Sequence, residues 1–319
     1  MAETKTVSVV MTTYNGAKYI REQIDSILGQ TYPLKEIIIQ DDGSTDGTPA
    51  ICEEYARKYP IIRFIRNEHN LGFNANFKSA AMKATGNYVA LSDQDDVWFP
   101  EKIAKQVEAI GHHDICFSSH LRGADRAHTH LVSPQYSLEA LLFNGFAGHT
   151  MLLRRDFVQT SEHWITNITY DWSLGICAQL GRGIVMIDEP LNWHRTNAES
   201  ACHVELKGFG IKTDAHPTWQ PYAYGIGNFR RLQRKPNWIR MYTYVLQHSG
   251  SGNTALGHRM AGYMLSRSMW SLLRLCLICL KHGDRIYYNK GQKGLMGAIR
   301  KFCYPLIFSY NNTKYDRSN

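Results

Sequence analysis

The first two hundred residues alternate short, β-rich apolar runs with segments of helical period. Such alternation predicts βαβ units and therefore an α/β fold, with a mainly parallel sheet flanked by helices. The predicted strands are 6–11, 36–40, 61–65, 87–91, 114–118 and 183–187. Helical spacing of apolar positions or helix-start signals predict helices over 20–28, from about Pro49, over 74–84 and over 101–110.

Three polar clusters follow predicted strands, at the points where the strands end. They are "TTYNG" after the first strand, "DDGSTDG" after the second and "SDQDD" after the fourth. In an open α/β sheet the ligand crevice lies beyond the carboxyl ends of the parallel strands. The three clusters are therefore expected to meet at one edge of the sheet.

The cluster "SDQDD" places Asp93, Asp95 and Asp96 within four positions. Carboxylates this close repel one another, and a divalent cation such as Mg²⁺ or Mn²⁺ removes that repulsion while bridging to phosphate. Asp93 and Asp95 alternate across one residue, so both can face a common ion. The alternative is an acidic turn that only caps the helix starting near Glu101.

The cluster "DDGSTDG" also has two interpretations. Counted from Asp42, its residues fall close to the ligand positions of an EF-hand calcium loop. An EF-hand needs a helix on its N-terminal side, however, and a strand-like run precedes this loop. A strand-end turn whose carboxylates accept N–H donors from a base or ribose fits the context better.

Two longer stretches resemble the family-2 glycosyltransferases of the GT-A fold. They are "VSVVMTTYNGAKYIREQIDSILGQTYPLKEIIIQDDGSTDGT" and "NLGFNANFKSAAMKATGNYVALSDQDDVWFPEKI". The resemblance covers about residues 6–200, and the form "DQDD" is similar to bacterial enzymes that build polysaccharides, including rhamnosyltransferases. It implies a GT-A, Rossmann-like catalytic domain that uses Mg²⁺ or Mn²⁺ and a nucleotide-diphosphate sugar.

The resemblance also implies roles for individual residues. Asp93 and Asp95 would form the Asp-x-Asp pair at the metal and diphosphate, with Asp96 in support. Asp42 would accept a hydrogen bond from a uracil or thymine N3–H, which favours UDP or dTDP donors. The residues expected to line the nucleotide pocket are Thr12, Tyr14, Asp41, Asp42, Asn70, Gly72 and Asn76.

Asp171 is expected to be the catalytic base that deprotonates the acceptor hydroxyl, because relatives carry an acidic residue at the start of a later helix. Its alternative role is that of a helix N-cap. Attack on the face opposite the leaving group implies inversion at the anomeric carbon.

Two further segments match parts of the family near the donor and acceptor. Gly148, His149 and Thr150 are candidates near the sugars, and Arg195 is the candidate for a phosphate contact. His194 is interpreted as a packing residue. Asn197 stands where a histidine is common in relatives, which argues against a metal role for this segment.

Charge divides the chain into two parts. Residues 1–204 hold 18 Lys and Arg against 24 Asp and Glu, whereas residues 205–319 hold 18 against 4. We therefore predict a catalytic domain over 1–204 and a basic, aromatic-rich, mainly helical region over 205–319. The basic region is interpreted either as a contact with an anionic membrane surface or as helices packed with solvated basic faces. No nucleic-acid-binding motif is recognisable.

Seven scattered cysteines indicate reduced thiols rather than a disulfide framework. The Cys276–Cys279 pair is interpreted as helix packing rather than a zinc site. We expect a cytoplasmic protein that contacts the inner face of the cell membrane peripherally.

The expected function is inverting transfer of a sugar from a UDP- or dTDP-sugar to a hydroxyl of a glycan or lipid-linked glycan in bacterial surface polysaccharide synthesis. Two other classes stay open. A nucleotidyltransferase would usually show a glycine-rich, basic loop after the first strand, which "TTYNGAKYI" does not resemble. A non-catalytic nucleotide-sugar-binding module would keep the pocket and lack the base.

Overall fold

The computed structural model describes residues 5–196, 219–287 and 294–311. Over these ranges nine strands form one mixed sheet with the order β3-β2-β1-β4-β8-β6-β9-β5, and β7 pairs with β6. The strands are β1 Val7–Thr13, β2 Glu36–Asp41, β3 Ile62–Arg66, β4 Tyr88–Ser92, β5 Val97–Trp98, β6 Ile115–Gly123, β7 His130–Val132, β8 Met151–Arg154 and β9 Ile184–Arg195.

The half of the sheet that carries β1 to β4 is parallel, as the alternating pattern predicts. β1 lies between β2 and β4, and both pairings are parallel. β8 then runs antiparallel between β4 and β6, and β6 pairs in parallel with β9. Because parallel neighbours share a direction, the loops after β1, β2 and β4 leave the sheet at one edge.

Burial of apolar side chains explains why these segments form strands and why the segments between them form helices. The apolar positions of β1 and β2 are fully buried, because a parallel sheet is covered on both faces. The first helix buries Ile20, Ile24 and Ile27 against this sheet, which confirms the helical spacing read from the sequence. The helices of this part are α1 Ile20–Leu28, α2 Thr48–Lys58, α3 Phe73–Ala81, α4 Lys102–Ala109 and α6 Arg155–Val158.

The chain divides into two compact units, and neither is continuous in sequence. The first unit comprises residues 1–133, 147–164 and 181–197 and contains the whole described sheet. The second comprises residues 134–146, 165–180 and 198–319. The boundary predicted at residues 204 and 205 lies outside the described residues.

The second unit is helical over its described residues. Its helices are α5 Leu138–Leu141, α7 Tyr170–Leu180, α8 Gln220–Leu232, α9 Pro236–His248, α10 Ala255–Leu265, α11 Met269–Lys281, α12 Gly283–Ile286, α13 Gly294–Phe302 and α14 Tyr304–Asn311. Trp238 and Tyr242 are fully buried, and the Tyr242 hydroxyl donates to the Leu142 carbonyl at 2.6 Å. Cys276 and Cys279 are buried free thiols on α11, which confirms their packing role.

Over the described ranges, none of the helices has the length and apolar content needed to cross a lipid bilayer.

Candidate functional site

The loops that follow β1 and β2 are joined by hydrogen bonds. Asn15 adopts a left-handed backbone conformation with φ of 48°. In this turn its side-chain Oδ1 accepts from the Thr45 amide at 2.9 Å, and its own amide donates to Ser44 Oγ at 2.8 Å. The Gly16 amide donates to Thr48 Oγ1, also at 2.8 Å. The first two polar clusters therefore form one continuous rim.

Gln94 joins the third cluster to the first. Its Oε1 accepts from the Tyr14 amide at 2.9 Å, and its Nε2 donates to the Tyr14 carbonyl at 3.0 Å. Gly16 leaves room for this carboxamide, since a Cβ at that position would lie 2.2 Å from Gln94 Oε1. The expected meeting of the three clusters at one edge is thus confirmed, and Gln94 is a residue of this edge that the sequence interpretation missed.

Asp41 is a structural residue of the turn. It is fully buried, and its Oδ1 accepts from Thr13 Oγ1 at 2.9 Å while its Oδ2 accepts from the Ser44 amide at 2.9 Å. Arg66 approaches the same carboxylate, with Nε 3.6 Å from Oδ2. These contacts fix the turn beside the proposed base pocket.

Asp42 holds the loop that leads into α3. Its Oδ1 accepts from Asn67 Nδ2 and from the Leu71 amide, both at 2.8 Å, and its Oδ2 accepts from the Gly72 amide at 2.9 Å. Asn70 Nδ2 donates to the Asp42 carbonyl at 3.0 Å. Since a carboxylate oxygen accepts two hydrogen bonds, Oδ2 keeps capacity for one further donor.

The predicted pocket residues Asn76 and Gly72 belong to the same network. Asn76 is buried and accepts from Asn67 Nδ2 at 2.9 Å, and its Nδ2 donates to the Gln40 carbonyl at 3.1 Å. Gly72 immediately precedes α3 and has φ of 79°, a conformation that other residues rarely adopt. Asn67, which the sequence interpretation missed, links Asp42 to Asn76.

Thr12 and Tyr14 lie at the end of β1. Thr12 is half-buried and is the second-to-last residue of β1. Tyr14 has 49% of its surface exposed, so its ring is accessible beside the edge where the three loops meet. An accessible aromatic face can stack on a nucleobase.

Asp93 and Asp95 are half-buried at the loop after β4. Arg195, at the end of β9, donates from Nε to the Asp95 carbonyl at 3.2 Å. Its guanidinium is paired with Glu22 and lies 4.3 Å from the ring centre of Trp193. Arg195, the residue predicted to contact phosphate, therefore lies beside the Asp-x-Asp segment. Glu22 already balances part of the Arg195 charge.

Asp96 lies behind this pair in a buried group that we call the histidine cluster: Asp96, His120, His149, Asn192 and His194. Asp96 is fully buried, its Oδ1 lies 2.8 Å from His194 Nδ1, and its Oδ2 lies 3.0 Å from His149 Nδ1. The rings of His149 and His194 stack with centres 4.6 Å apart, and His120 meets His149 edge-on at 5.0 Å. Asp96, His149 and His194 each offer a ligand atom within 4.8 Å of the others, so this group could hold a metal ion.

Electrostatics distinguish the members of the histidine cluster. Burial opposes ionisation of Asp96, but His149 and His194 outweigh it and hold the pKa of the carboxyl well below its usual range. Burial lowers the pKa of His149 despite the neighbouring Asp96. Burial also acts on His194, but Asp96, Asp93 and Asp95 together raise its pKa. The three nearby carboxylates therefore favour the protonated form of His194.

Lys102, next to the histidine cluster, and His120, within it, are two further buried bases. Lys102 is fully buried, and its Nζ donates to the His149 carbonyl at 3.0 Å and lies 4.8 Å from the ring centre of Trp98. Burial lowers the pKa of Lys102 to about 7 and that of His120 to about 2. His120 Nδ1 finds no hydrogen-bond partner among the described residues.

Gly148, His149 and Thr150 form a buried 3-10 turn in the first unit. The Thr150 carbonyl accepts from Gln106 Nε2 at 2.7 Å, and Thr150 Oγ1 donates to the Ala147 carbonyl at 2.6 Å. The turn thus fixes His149 in the histidine cluster, while a contact with a sugar stays a prediction. Asn197 lies outside the described residues.

Asp171 belongs to the second unit, in the first turn of α7. It is half-buried, and its Oδ1 accepts from the Trp172 amide at 2.8 Å. Asp171 is the second residue of α7, so this bond to the next amide differs from the N-cap bond, which reaches an amide two or three positions on. The other carboxylate oxygen accepts no hydrogen bond from a described residue. Its role as catalytic base stays a prediction.

Known proteins similar to this chain in sequence indicate its family. The glycosyl transferase family 2 model matches residues 8–169. The uncharacterized protein Rv1520 of Mycobacterium tuberculosis is 32% identical over 233 residues, which cover 69% of this chain and 65% of that protein. The putative glycosyltransferase EpsE of Bacillus subtilis is 42% identical over 108 residues, 34% of this chain and 39% of the relative. The matches thus span less than two thirds of the length of these relatives.

Solved structures share the fold at low sequence identity. The mannosyltransferase PcManGT from Pyrobaculum calidifontis, in complex with GDP-Man and Mn²⁺, has a TM-score of 0.57 at 18% identity and covers 99% of this chain and 89% of its own. Residues 1–349 of S. aureus TarS, in complex with UDP-GlcNAc, have a TM-score of 0.53 at 17% identity. The match covers 96% of this chain and 91% of the TarS chain. Sequence motifs, sheet order and the family match lead to one conclusion: this chain belongs to glycosyl transferase family 2, on a GT-A-like α/β fold.

Proposed function

We propose that this protein transfers a sugar, with inversion, from a UDP- or dTDP-sugar to a hydroxyl of a growing glycan. The observation that carries the proposal is the joined rim of three loops, which places Tyr14, Asp42 and the Asp93–Asp95 segment at one sheet edge. A nucleotide diphosphate needs an aromatic or polar base pocket and, next to it, a site for its charge. Parallel strands that end side by side can supply both at one sheet edge, and this arrangement supports the proposal.

The residues of the base pocket have defined tasks in this proposal. The exposed ring of Tyr14 stacks on the base, and Asp42 Oδ2 accepts the N3–H of uracil or thymine. The Asn67–Asn76 network holds Asp42 in place from below. The remaining acceptor capacity of Asp42 Oδ2 matches the imide N3–H of uracil or thymine, and this match is the reason for assigning a pyrimidine donor.

Asp93 and Asp95 would hold a Mg²⁺ or Mn²⁺ ion. Their oxygens are the ligand type that these hard cations prefer, and their half-buried positions keep them within reach of a diphosphate. When bound, such an ion neutralises the charge that develops on the leaving diphosphate. Asp96 is engaged by two histidines, so we assign it the task of orienting His194 behind the Asp-x-Asp pair. Arg195 would add positive charge at the phosphates when its pairing with Glu22 is exchanged.

Asp171 is the proposed general base. Oδ1 is held by the Trp172 amide, which fixes the side chain, and the other oxygen takes the proton of the acceptor hydroxyl. Such a group typically contributes ~10²–10⁴-fold to the rate. The acceptor that we propose is a glycan, in bacterial surface polysaccharide synthesis, carried on a lipid at the cytoplasmic face of the membrane.

Thermal shift with a panel of UDP-, dTDP- and GDP-sugars tests the donor assignment. A ligand that binds only the folded protein raises its stability with concentration, so a UDP- or dTDP-sugar should raise Tm, and more so with Mn²⁺. Asp95→Asn should lose the Mn²⁺-dependent part of the shift, whereas Asp125→Asn, at an exposed loop, should keep it. No metal-dependent shift with any pyrimidine donor would show that the assignment is wrong.

A further inference from the structure

Helix α11 is apolar on its exposed face as well as on its packed one. Leu272, Leu275, Cys276 and Cys279 are buried within the second unit. The opposite side carries five large apolar residues that are each between 38% and 72% exposed: Met269, Trp270, Leu273, Leu277 and Leu280. A helix in contact only with water would carry polar residues on that side.

The exposed residues form one stripe with basic residues along its edge. At 100° per residue, the five apolar side chains and Arg274 and Lys281 fall within an arc of about 140°. Arg274 and Lys281 are exposed and seven residues apart, so they point in nearly the same direction. No described residue forms an ion pair with either of them.

Helix α13 also carries exposed apolar residues together with basic residues. It packs beside α11 in the second unit. Leu295 is 77% and Met296 is 63% exposed, and the helix ends in the basic residues Arg300 and Lys301. Exposed apolar side chains on two neighbouring helices exceed the scattered single residues that are normal on a protein surface.

The excess of positive charge in this region indicates which kind of partner the surface binds. Residues 205–319 carry 18 Lys and Arg against 4 Asp and Glu, and the exposed Asp284 of this region is already paired with Lys301. A second copy of the chain would bring like charges together, which is unfavourable at an interface. An anionic lipid surface offers apolar depth and negative headgroups at the same time.

We propose that α11 and α13 form a membrane-contact surface that lies on an anionic lipid bilayer. The apolar stripe enters the interfacial region, Trp270 sits at the headgroup level, and Arg274 and Lys281 meet the lipid phosphates. α11 has 13 residues, too few to span the hydrocarbon core, so it lies in the membrane plane. This surface is independent of the donor assignment, because it requires neither nucleotide nor metal.

Vesicle flotation with the full-length protein tests the proposal. We expect flotation with equimolar phosphatidylcholine and phosphatidylglycerol, little with phosphatidylcholine alone, and weaker flotation as salt is raised. Trp270→Ser combined with Leu277→Ser should lower the partition coefficient by about tenfold or more, since both side chains lose apolar burial. Arg274→Ala combined with Lys281→Ala should lower it by about 30-fold, from ~1 kcal/mol for each basic residue near the surface.

Matched variants away from the surface serve as controls. Ile61→Ser removes an exposed apolar residue, and Arg57→Ala with Lys58→Ala removes two exposed charges from α2. These variants should float like the parent protein, and all variants should keep the circular dichroism spectrum and Tm, because every changed residue is exposed.

Three outcomes would overturn the proposal. The first is that the parent protein does not float with anionic vesicles. The second is that the variant with Trp270 and Leu277 replaced floats as well as the control variants. The third is concentration-dependent dimer formation, measured by light scattering, that these changes abolish while no variant floats, which would assign the surface to a second copy of the chain.

Discussion

The carboxylate of Asp96 lies between two histidines, with His194 Nδ1 2.8 Å from Oδ1 and His149 Nδ1 3.0 Å from Oδ2. Asp96 immediately follows Asp95, so the backbone that carries the Asp-x-Asp pair is anchored from inside the protein. His194 is in turn one residue before Arg195 on β9. One buried carboxylate therefore couples the positions of the acidic loop and of the basic end of β9.

Asp96→Asn should destabilise the fold. Removing one partner of a buried ion pair leaves the other uncompensated and typically costs about 3–5 kcal/mol. Urea unfolding measures the change. The control is Asp125→Asn, which alters an exposed pair, where His128 Nδ1 lies 2.9 Å from Asp125 Oδ1, and should leave stability unchanged. Equal changes in the free energy of unfolding for the two substitutions would show that the histidine cluster does not stabilise the fold more than an exposed pair does.

Gly16→Ala should disturb the nucleotide site rather than the fold. Its Cβ would lie 2.2 Å from Gln94 Oε1, and the flexible carboxamide can move away only by leaving the Tyr14 backbone. We expect the Kd for UDP to rise about tenfold, or ~1.4 kcal/mol.

Gln94→Ala should weaken UDP binding to a similar extent as Gly16→Ala, and the double variant should be no weaker, because both changes break the same link. Gly47→Ala is the control, since its Cβ would meet Ala17 Cβ at an ordinary 3.6 Å. Additive losses in the double variant would contradict a shared link.

Asp171→Asn should lower kcat by about 10²–10⁴-fold and leave the nucleotide Kd unchanged, because the base acts on the acceptor. Asp156→Asn is a matched control. Asp156 Oδ1 accepts from the Phe157 amide at 2.9 Å, the same local bond that Asp171 makes with Trp172 at 2.8 Å. Radiolabelled sugar transfer at saturating donor measures the rates. An unchanged kcat in Asp171→Asn would show that a different group is the base, whereas no transfer by the parent protein would favour the non-catalytic binding module.

Lys102 should make stability depend on alkaline pH. Its folded-state pKa of about 7 lies below the usual value of 10.5, so between these values the unfolded chain binds more protons than the folded one. The stability of the folded state therefore increases as pH rises through this window. This stabilisation is lost again as pH falls through 7. Lys102→Met should flatten the dependence by about 1–3 kcal/mol relative to the parent. Lys105→Met, at a half-buried lysine of α4 paired with Glu101 and Glu189, should not flatten it in this pH window. Parallel pH profiles of Lys102→Met and the parent would contradict this expectation.

The sequence predicted the parallel half of the sheet well. β1, β2 and β4 are uniform apolar runs, and the polar residues that follow them mark their ends within one or two positions. β5, β7 and β8 were missed because two to four residues are too few to show a period. Their pairing is decided by neighbours that are distant in the chain.

The histidine cluster could not be predicted for the same reason. His120, His149 and His194 lie in three separate segments, and only the pairing of β6 with β9 and the turn before β8 brings them together. The one local signal was the third carboxylate of "DQDD", since an acidic residue facing the interior requires a buried partner. Asp171, by contrast, was singled out only by the family resemblance, and its role as catalytic base stays a prediction.

The interleaved order of the two units has a practical consequence for protein production. Asn144 Nδ2 donates to the Tyr304 hydroxyl at 2.8 Å, and Leu142 accepts from Tyr242, so residues 134–146 are held by segments a hundred or more positions downstream. A recombinant fragment that stops after the sheet would display these internal segments without their helical partners and would be prone to aggregate. Deletion studies should therefore excise whole surface helices or single loops, and keep the full chain as the unit of expression.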